Sequence, residues 1–343
     1  MAWLSLETVR LRLPAPLRTS WGELAERELL VVHLGFSDRD HGWGEAAPLE
    51  PYDGVPLPAV AAALQAYGAV LADAGPHTPH ADLLAACAAE RDLPQALAAI
   101  DLALWDREGR RAGLPVARLL DPGAADAVPV NATIGAEDRA GAAAAARAAS
   151  EAGFGCVKVK VGVGDDAGRV AAVRAAAGPG TAIRIDANGA WASPGEALAN
   201  LRALAPAGVE LCEEPVHGVE ALREVRADSP VRVAMDETAA EPGAAGSGAA
   251  DAVCLKVTRG GISGVLRDAR AARAAGSGVY VSSSYDGPLG IAAGVHVAAA
   301  LRATGPVAHC GLATLTGEPR VAPVAGAIAT PSGPGLLGGH STL

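Results

Sequence analysis

Lysine is almost missing from this chain. Of its 28 basic residues only Lys158, Lys160 and Lys256 are lysines, and arginine carries positive charge everywhere else. An amine can lose its proton at workable pH and serve as a base, whereas a guanidinium stays charged. Three isolated lysines therefore mark chemistry. Aromatic residues are also scarce, at 3%, which argues against a stacking surface for bases. The net charge of −10 argues against nucleic acid or an anionic membrane as the main partner and favours a small molecule. No apolar run is long enough to span a bilayer: 142–149 is broken by Arg147, and 292–301 is short and contains His296. Cys87, Cys156, Cys212, Cys254 and Cys310 are odd in number and lack CxxC spacing. They read as buried free thiols of a reducing compartment, the cytoplasm, and not as a disulfide frame. Arg10 and Arg12 alternate with Val9, Leu11 and Leu13, a strand pattern and not that of a secretory leader.

With half its 343 residues hydrophobic, the chain can bury a large core. Residues 4–13 and 29–36 read as strands, followed by helical patterns at about 58–73, 80–90 and 94–113, an α+β unit. From residue 128 the pattern changes to short apolar runs between helix-like segments, at 128–134, 156–161, 182–186, 209–213, 231–235, 252–256, 279–282 and 307–310. Such alternation suits a (β/α)-barrel or an open doubly wound sheet. No Gly-rich phosphate loop follows the first strand, and polar residues collect at the carboxyl ends of many strands, so the barrel is favoured. The expected fold is α/β, a TIM-like (β/α)7β barrel at 126–310. Residues 1–125 form its α+β cap, and 311–343 return to that cap.

Lys158 and Lys160 stand two apart on one strand and so share a face. Later strand ends carry Asp186 and Asn188, Glu213 and Glu214, Asp236 and Glu237, then Lys256. Each carboxylate alone could be a helix cap, but together they would repel one another unless a cation sat between them. Their hard oxygens suit Mg²⁺, with Mn²⁺ a possible substitute. A metal holding a substrate carboxylate beside an amine base is a device for removing a proton α to that carboxylate. A neighbouring cation and a metal can lower a lysine toward the pKa such a base needs, and Lys158 stands beside Lys160 in that way.

These features, with 42–48 (GWGEAAP), 99–106 (AIDLALWD) and 256–262 (KVTRGGI), resemble the enolase superfamily in its muconate-lactonizing-enzyme subgroup. The resemblance covers nearly the whole chain. It implies that Asp186, Glu213 and Asp236 ligate Mg²⁺, that Lys160 is the base and Lys158 its electrostatic neighbour. Lys256 is then the opposing acid, base or cation. Glu214 stands where many relatives carry Gln and belongs behind the ligands. Asn188, Glu237, Ser283, Asp286, Trp21 and Tyr52 are candidates for supporting or substrate contacts.

The subgroup includes lactonizing cycloisomerases, dipeptide epimerases, N-succinylamino acid racemases and o-succinylbenzoate synthases. Dipeptide epimerases carry Asp-x-Asp at the eighth strand to bind the substrate ammonium; this chain has His309-Cys310-Gly311-Leu312-Ala313-Thr314 there. That segment and 282–290 (SSSYDGPLG) look more like the synthases, lyases of menaquinone biosynthesis. The expectation is thus a dehydratase, with an isomerase as the alternative. A non-catalytic barrel binding a metal and a carboxylate is a reading of another class, but a mere binder has no need of two opposed amines.

Overall fold

The computed structural model describes residues 1–19, 22–135, 137–302, 305–315 and 317–338. Strands β1 (Trp3–Thr19), β2 (Gly22–Ser37) and β3 (Asp40–Ala46) form an antiparallel meander. Their inner face, including Leu30, Val32 and Leu34, buries against helices Leu57–Ala72, His80–Glu90 and Pro94–Ala112. In the first of these helices Val60, Ala63, Leu64, Tyr67 and Leu71 recur every three or four residues and are buried, the stripe that drives an amphipathic helix onto a sheet. Pro94 at the start and left-handed Gly113 at the end delimit helix Pro94–Ala112.

This helix lies unusually close to β3. A Cβ on Gly42 would overlap the Ala103 carbonyl oxygen, and one on Gly44 that of Ala99. Hence the glycines flanking Trp43 face the small residues of 99–103. Asp106 then ties three parts of the chain together. Its carboxylate accepts from Trp43 N at 3.0 Å, Arg110 Nε at 2.6 Å and Leu336 N at 2.7 Å.

The second layer is a curled parallel sheet. Strands β4 (Ala127–Pro129) and β5 (Ala132–Ile134) arise from the one run expected at 128–134, and only β5 joins the barrel. Then follow β6 (Cys156–Lys160), β7 (Ala182–Asp186), β8 (Val209–Glu213), β9 (Arg232–Met235), β10 (Ala252–Leu255) and β11 (Gly278–Val281), paired in chain order. The expected strand at 307–310 is cut short, since Gly305–Val307 is a turn of 3-10 helix. Closure falls to two residues: Cys310 bridges Val130, and Gly311 bridges Ser282. Val157, Val159, Ile183 and Ile185 face outward into the helix layer and are buried there. Their burial contributes roughly 1.5–3 kcal/mol each. The alternate residues, Lys158 and Lys160, point into the barrel.

The tail returns as β12 (Ala327–Ala329), antiparallel to β4. Beyond it Val116 N donates to Gly335 O at 3.1 Å. Among the described residues no helix is long and apolar enough to cross a membrane.

His296, fully buried in helix Pro288–Leu301, clamps this tail. Its Nδ1 accepts from Ala117 N at 3.1 Å and its Nε2 donates to Leu336 O at 2.8 Å, so the ring is neutral. Burial pushes its pKa down to about 4. A depressed histidine contributes stability that is full above about pH 6.5 and is lost as pH falls toward 4, worth up to about 3 kcal/mol. The stability gap between wild type and His296→Leu, measured by denaturant unfolding, should therefore shrink by about 2–3 kcal/mol between pH 7 and 4.5. A gap constant with pH would refute the neutral clamp.

Candidate active site

The parallel register sets Lys160 beside Asp186 and Asp186 beside Glu213. Their side chains meet inside the carboxyl end of the barrel. Lys158 Nζ bridges Glu213 Oε1 at 2.6 Å and Asp186 Oδ2 at 2.8 Å. Lys160 Nζ donates to the same Asp186 oxygen at 2.6 Å and to Asn188 Oδ1 at 2.7 Å. Across the site Lys256 Nζ donates to Asp236 Oδ2 at 2.7 Å and to Tyr52 Oη at 2.6 Å. The three lysines, Asp186, Asn188, Asp236 and Tyr52 line one cavity, together with Leu49, Thr133, Ser282, Ser283, Ser284, Tyr285, Gly311 and Thr314.

Behind them lies a supporting layer. Tyr280 Oη donates to Glu213 Oε2 at 2.5 Å. Glu214 is fully buried and accepts from Asp236 N at 2.7 Å, Thr238 N at 3.0 Å, the Thr238 hydroxyl, and His217 Nδ1 at 3.1 Å. It thus fixes the backbone that presents Asp236. Asn188 Nδ2 donates to Glu237 Oε1 at 2.8 Å. Ser283 Oγ pairs with Thr314 Oγ1 at 2.6 Å on the cavity wall. Asp286 does not reach the cavity. It is buried behind the wall, where its Oδ1 accepts from Ser284 N at 3.1 Å. Trp21 lies outside the described residues.

Two participants had no role in the sequence reading. Arg259 donates to Asp236 Oδ1 at 3.0 Å and to the Asp236 carbonyl at 2.7 Å, and it also bonds Tyr52 Oη. Its signal was present in the motif at 256–262. Tyr280 had only its place on the seventh barrel strand.

The electrostatics follow from this packing. Burial alone would push Asp186 up, but Lys158 and Lys160 outweigh it and hold the carboxyl well below its usual range. For Asp236, Lys256 and Arg259 do the same. Glu213 moves the other way, since burial and the repulsion of Asp186 and Asp236 exceed the pull of the lysines. Glu237 is pushed up to about 7 by burial, Asp236 and Asp186. Burial would also lower Lys158 and Lys256, yet the carboxylates around them raise both well above the ordinary lysine value. Contact with carboxylates at 2.6–2.8 Å overrides burial and the other amine.

The donor set fits a hard divalent cation. Asp186, Glu213, Glu214, Asp236 and Glu237 outnumber Lys158, Lys160, Lys256 and Arg259, so a positive ion and a substrate carboxylate would leave the cluster near neutrality. Ligand atoms of Glu213 and Asp236 lie within 4.8 Å of each other, and Lys158 links Asp186 to the same group.

A capped barrel with opposed lysines and buried carboxylates at the carboxyl ends of its strands has the architecture of a barrel enzyme. Comparison with known proteins narrows it. Residues 141–337 match the family described as enolase C-terminal domain-like. Residues 4–121 match the mandelate racemase / muconate lactonizing enzyme N-terminal domain. The chain belongs to the enolase superfamily. It is 29% identical over 329 residues to the L-Ala-D/L-Glu epimerase of Bacillus subtilis (strain 168), covering 88% of this chain and 86% of that one. To the o-succinylbenzoate synthase of Thermobifida fusca (strain YX) it is 42% identical over 199 residues, 55% and 60% of the two chains. Its fold superposes on the dipeptide epimerase of Enterococcus faecalis V583, solved with Mg and L-Leu-L-Tyr, with TM-score 0.86 and 26% identity over 98% and 99% of the chains.

The Asp236 pair allows a test by stability. Asp236→Asn leaves Lys256 and Arg259 buried without their counter-charge and should cost about 3–5 kcal/mol in denaturant unfolding. Adding Lys256→Met should recover part of that loss. Strict additivity of the two substitutions would mean that the pair is not coupled.

Proposed function

We propose that the chain catalyses Mg²⁺-dependent removal of a proton α to a substrate carboxylate, and that the net reaction is the syn dehydration of o-succinylbenzoate synthases. In this reading Asp186, Glu213 and Asp236 hold the ion. When bound, Mg²⁺ supplies positive charge for the substrate carboxylate and for the negative charge that builds on it. Lys160 takes the α-proton of the succinyl-hydroxycyclohexadiene carboxylate. The C–H electron pair moves into the ring as the C–O bond of the neighbouring hydroxyl breaks. On the same face, the Lys160 ammonium returns its proton to the departing hydroxide, and water leaves with an aromatic ring formed. Lys158 holds Asp186 and Glu213 in place from below. Lys256 stays protonated and meets the developing charge from the opposite side.

The observation that carries the choice of substrate is the cavity wall away from the carboxylate cluster. Thr133, Ser282, Ser283, Ser284, Gly311 and Thr314 supply hydroxyls and backbone there, and among the described residues that wall holds no carboxylate. A dipeptide ammonium facing that wall would go unpaired in a closed site, which is costly. A succinyl group needs only hydrogen-bond donors. The 42% identity to a synthase supports the same choice. One further reading, racemization of an N-succinylamino acid, is favoured by Lys160 and Lys256 entering one cavity. That arrangement suits proton delivery to the face opposite abstraction.

With purified protein and Mg²⁺, the cyclohexadiene precursor should aromatize, followed by ultraviolet absorbance. Lys160→Ala or chelation should abolish the signal. Lys256→Arg should retain part of the dehydration and, through Lys160, solvent-deuterium exchange into one enantiomer of an N-succinylamino acid, while losing racemization. Failure of the precursor to turn over, with exchange on N-succinylamino acids intact, would replace the synthase with the racemase.

A further inference from the structure

At the amino-terminal mouth of the barrel, opposite the catalytic end, a second cluster takes no part in the chemistry above. Cys156 opens β6, Glu210 is the second residue of β8, and His309 immediately precedes the pair that closes the barrel. One ligand atom from each, a thiol sulfur, a carboxylate oxygen and an imidazole nitrogen, all lie within 4.8 Å of one another. Cys156 is buried while Glu210 and His309 are partly exposed, so the cluster opens toward solvent on one side. Arg184 braces it, its Nε donating to Glu210 Oε1 at 3.1 Å and its Nη1 to the His309 carbonyl at 2.6 Å.

We propose that Cys156, Glu210 and His309 form a zinc-type site for one borderline-soft divalent cation, with solvent in the remaining position. The mixed sulfur, nitrogen and oxygen set suits Zn²⁺ or Co²⁺ and is wrong for Mg²⁺, which takes oxygen ligands. The site is therefore chemically distinct from the carboxylate cluster at the other end of the barrel. An ion pair between Arg184 and Glu210 would satisfy the barrel floor by itself; it needs neither the thiol nor the imidazole. By fixing the Glu210 carboxylate and the His309 backbone, Arg184 acts as the outer partner that orients ligands.

The proton balance is simple. Burial pushes the Cys156 thiol up to about 12 although Arg184 pulls it down, so the free thiol is neutral. Binding exchanges the S–H bond for a metal–sulfur bond and releases that proton to solvent, with no oxidant or reductant. Burial and Arg184 lower His309, which leaves its imidazole neutral and able to ligate near pH 7. The adjacent guanidinium favours the thiolate once it forms.

The test uses the full chain saturated with Mg²⁺, so that the carboxylate end is engaged, then exposed to Zn²⁺ or Co²⁺ and desalted. About one equivalent of zinc should stay bound by elemental analysis, with about one proton released per metal. The cobalt form should show a near-ultraviolet thiolate-to-metal charge-transfer band that Cys156→Ser removes. His309→Gln, at a partly exposed position, should weaken zinc binding by more than the roughly 10–100-fold that loss of an outer partner costs. It decides the question alone if Cys156→Ser does not fold. No retained zinc, a band that survives Cys156→Ser, or zinc affinity unchanged in His309→Gln would overturn the site.

Discussion

The contact between buried ammonium groups and buried carboxylates at one end of the barrel governs the rest of the structure. Asp186, Glu213 and Asp236 are all at most 2% exposed. Three carboxylates brought that close on neighbouring strands would prevent the barrel from closing if they stood alone, because each would be a desolvated charge beside another of the same sign. Lys158, Lys160 and Lys256 turn that repulsion into a lattice in which each anion is held by a cation at 2.6–2.8 Å. The same lattice ties the strands in register, so fold and site share one cause.

The cap is joined to this lattice through few atoms, and those atoms sit on the reaction cavity. Tyr52 belongs to the cap, yet its hydroxyl accepts from Lys256 at 2.6 Å and donates to Asp236 at 3.1 Å. Its ring lies 4.2 Å from the same ammonium. Arg27 from β2 reaches the carbonyls of Ala47 and Pro48 at 2.9 and 2.8 Å, and that of Tyr285 at 3.3 Å, so the cap edge and the barrel wall hang on one guanidinium. Beside it Glu45 accepts from Gly287 N at 2.7 Å. Burial and the proximity of Asp286 push Glu45 up to about 7. The Gly-Trp-Gly-Glu motif is thereby explained twice: its glycines let β3 approach helix Pro94–Ala112, and its glutamate reaches the barrel.

What could be read from the chain beforehand was whatever leaves a periodic or compositional trace. Helices at 80–90 and 94–113, the strands carrying Lys158, Asp186 and Glu213, and the convergence of acids and lysines all follow from spacing and from the rarity of lysine. The losses have physical reasons. The run at 128–134 is split because its first half pairs with a tail strand nearly 200 residues away, a partner no local pattern reveals. The closing strand shrank to Cys310 and Gly311 because the preceding turn consumed its apolar residues. Arg259, though it lies in the motif at 256–262, and Tyr280 could be given no role because a single arginine or tyrosine has no period, and their contacts exist only once β8 to β11 lie side by side. Asp286, a candidate supporting or substrate contact, stands in the loop between β11 and helix Pro288–Leu301, beside Arg27 and Glu45 of the cap and off the cavity.

This separation bears on how one scaffold can serve several reactions. In the reaction proposed above, proton removal depends on the lattice, whose members touch one another more than they touch the cavity wall. Glu213 and Glu214 in particular are wholly enclosed by protein partners. The wall of Thr133, Ser282, Ser283, Ser284 and Thr314 bears none of the lattice contacts, apart from its shared boundary on the cavity. Substitutions on that wall can change which carboxylate is held without disturbing the charges that ionise it. Substitutions in the lattice cannot, because removing one member leaves its partner as an unpaired buried charge at a cost of several kcal/mol. Rarity of lysine elsewhere fits the same constraint. At Lys158 one compact ammonium reaches both Glu213 and Asp186, and an amine, unlike a guanidinium, can give up its proton.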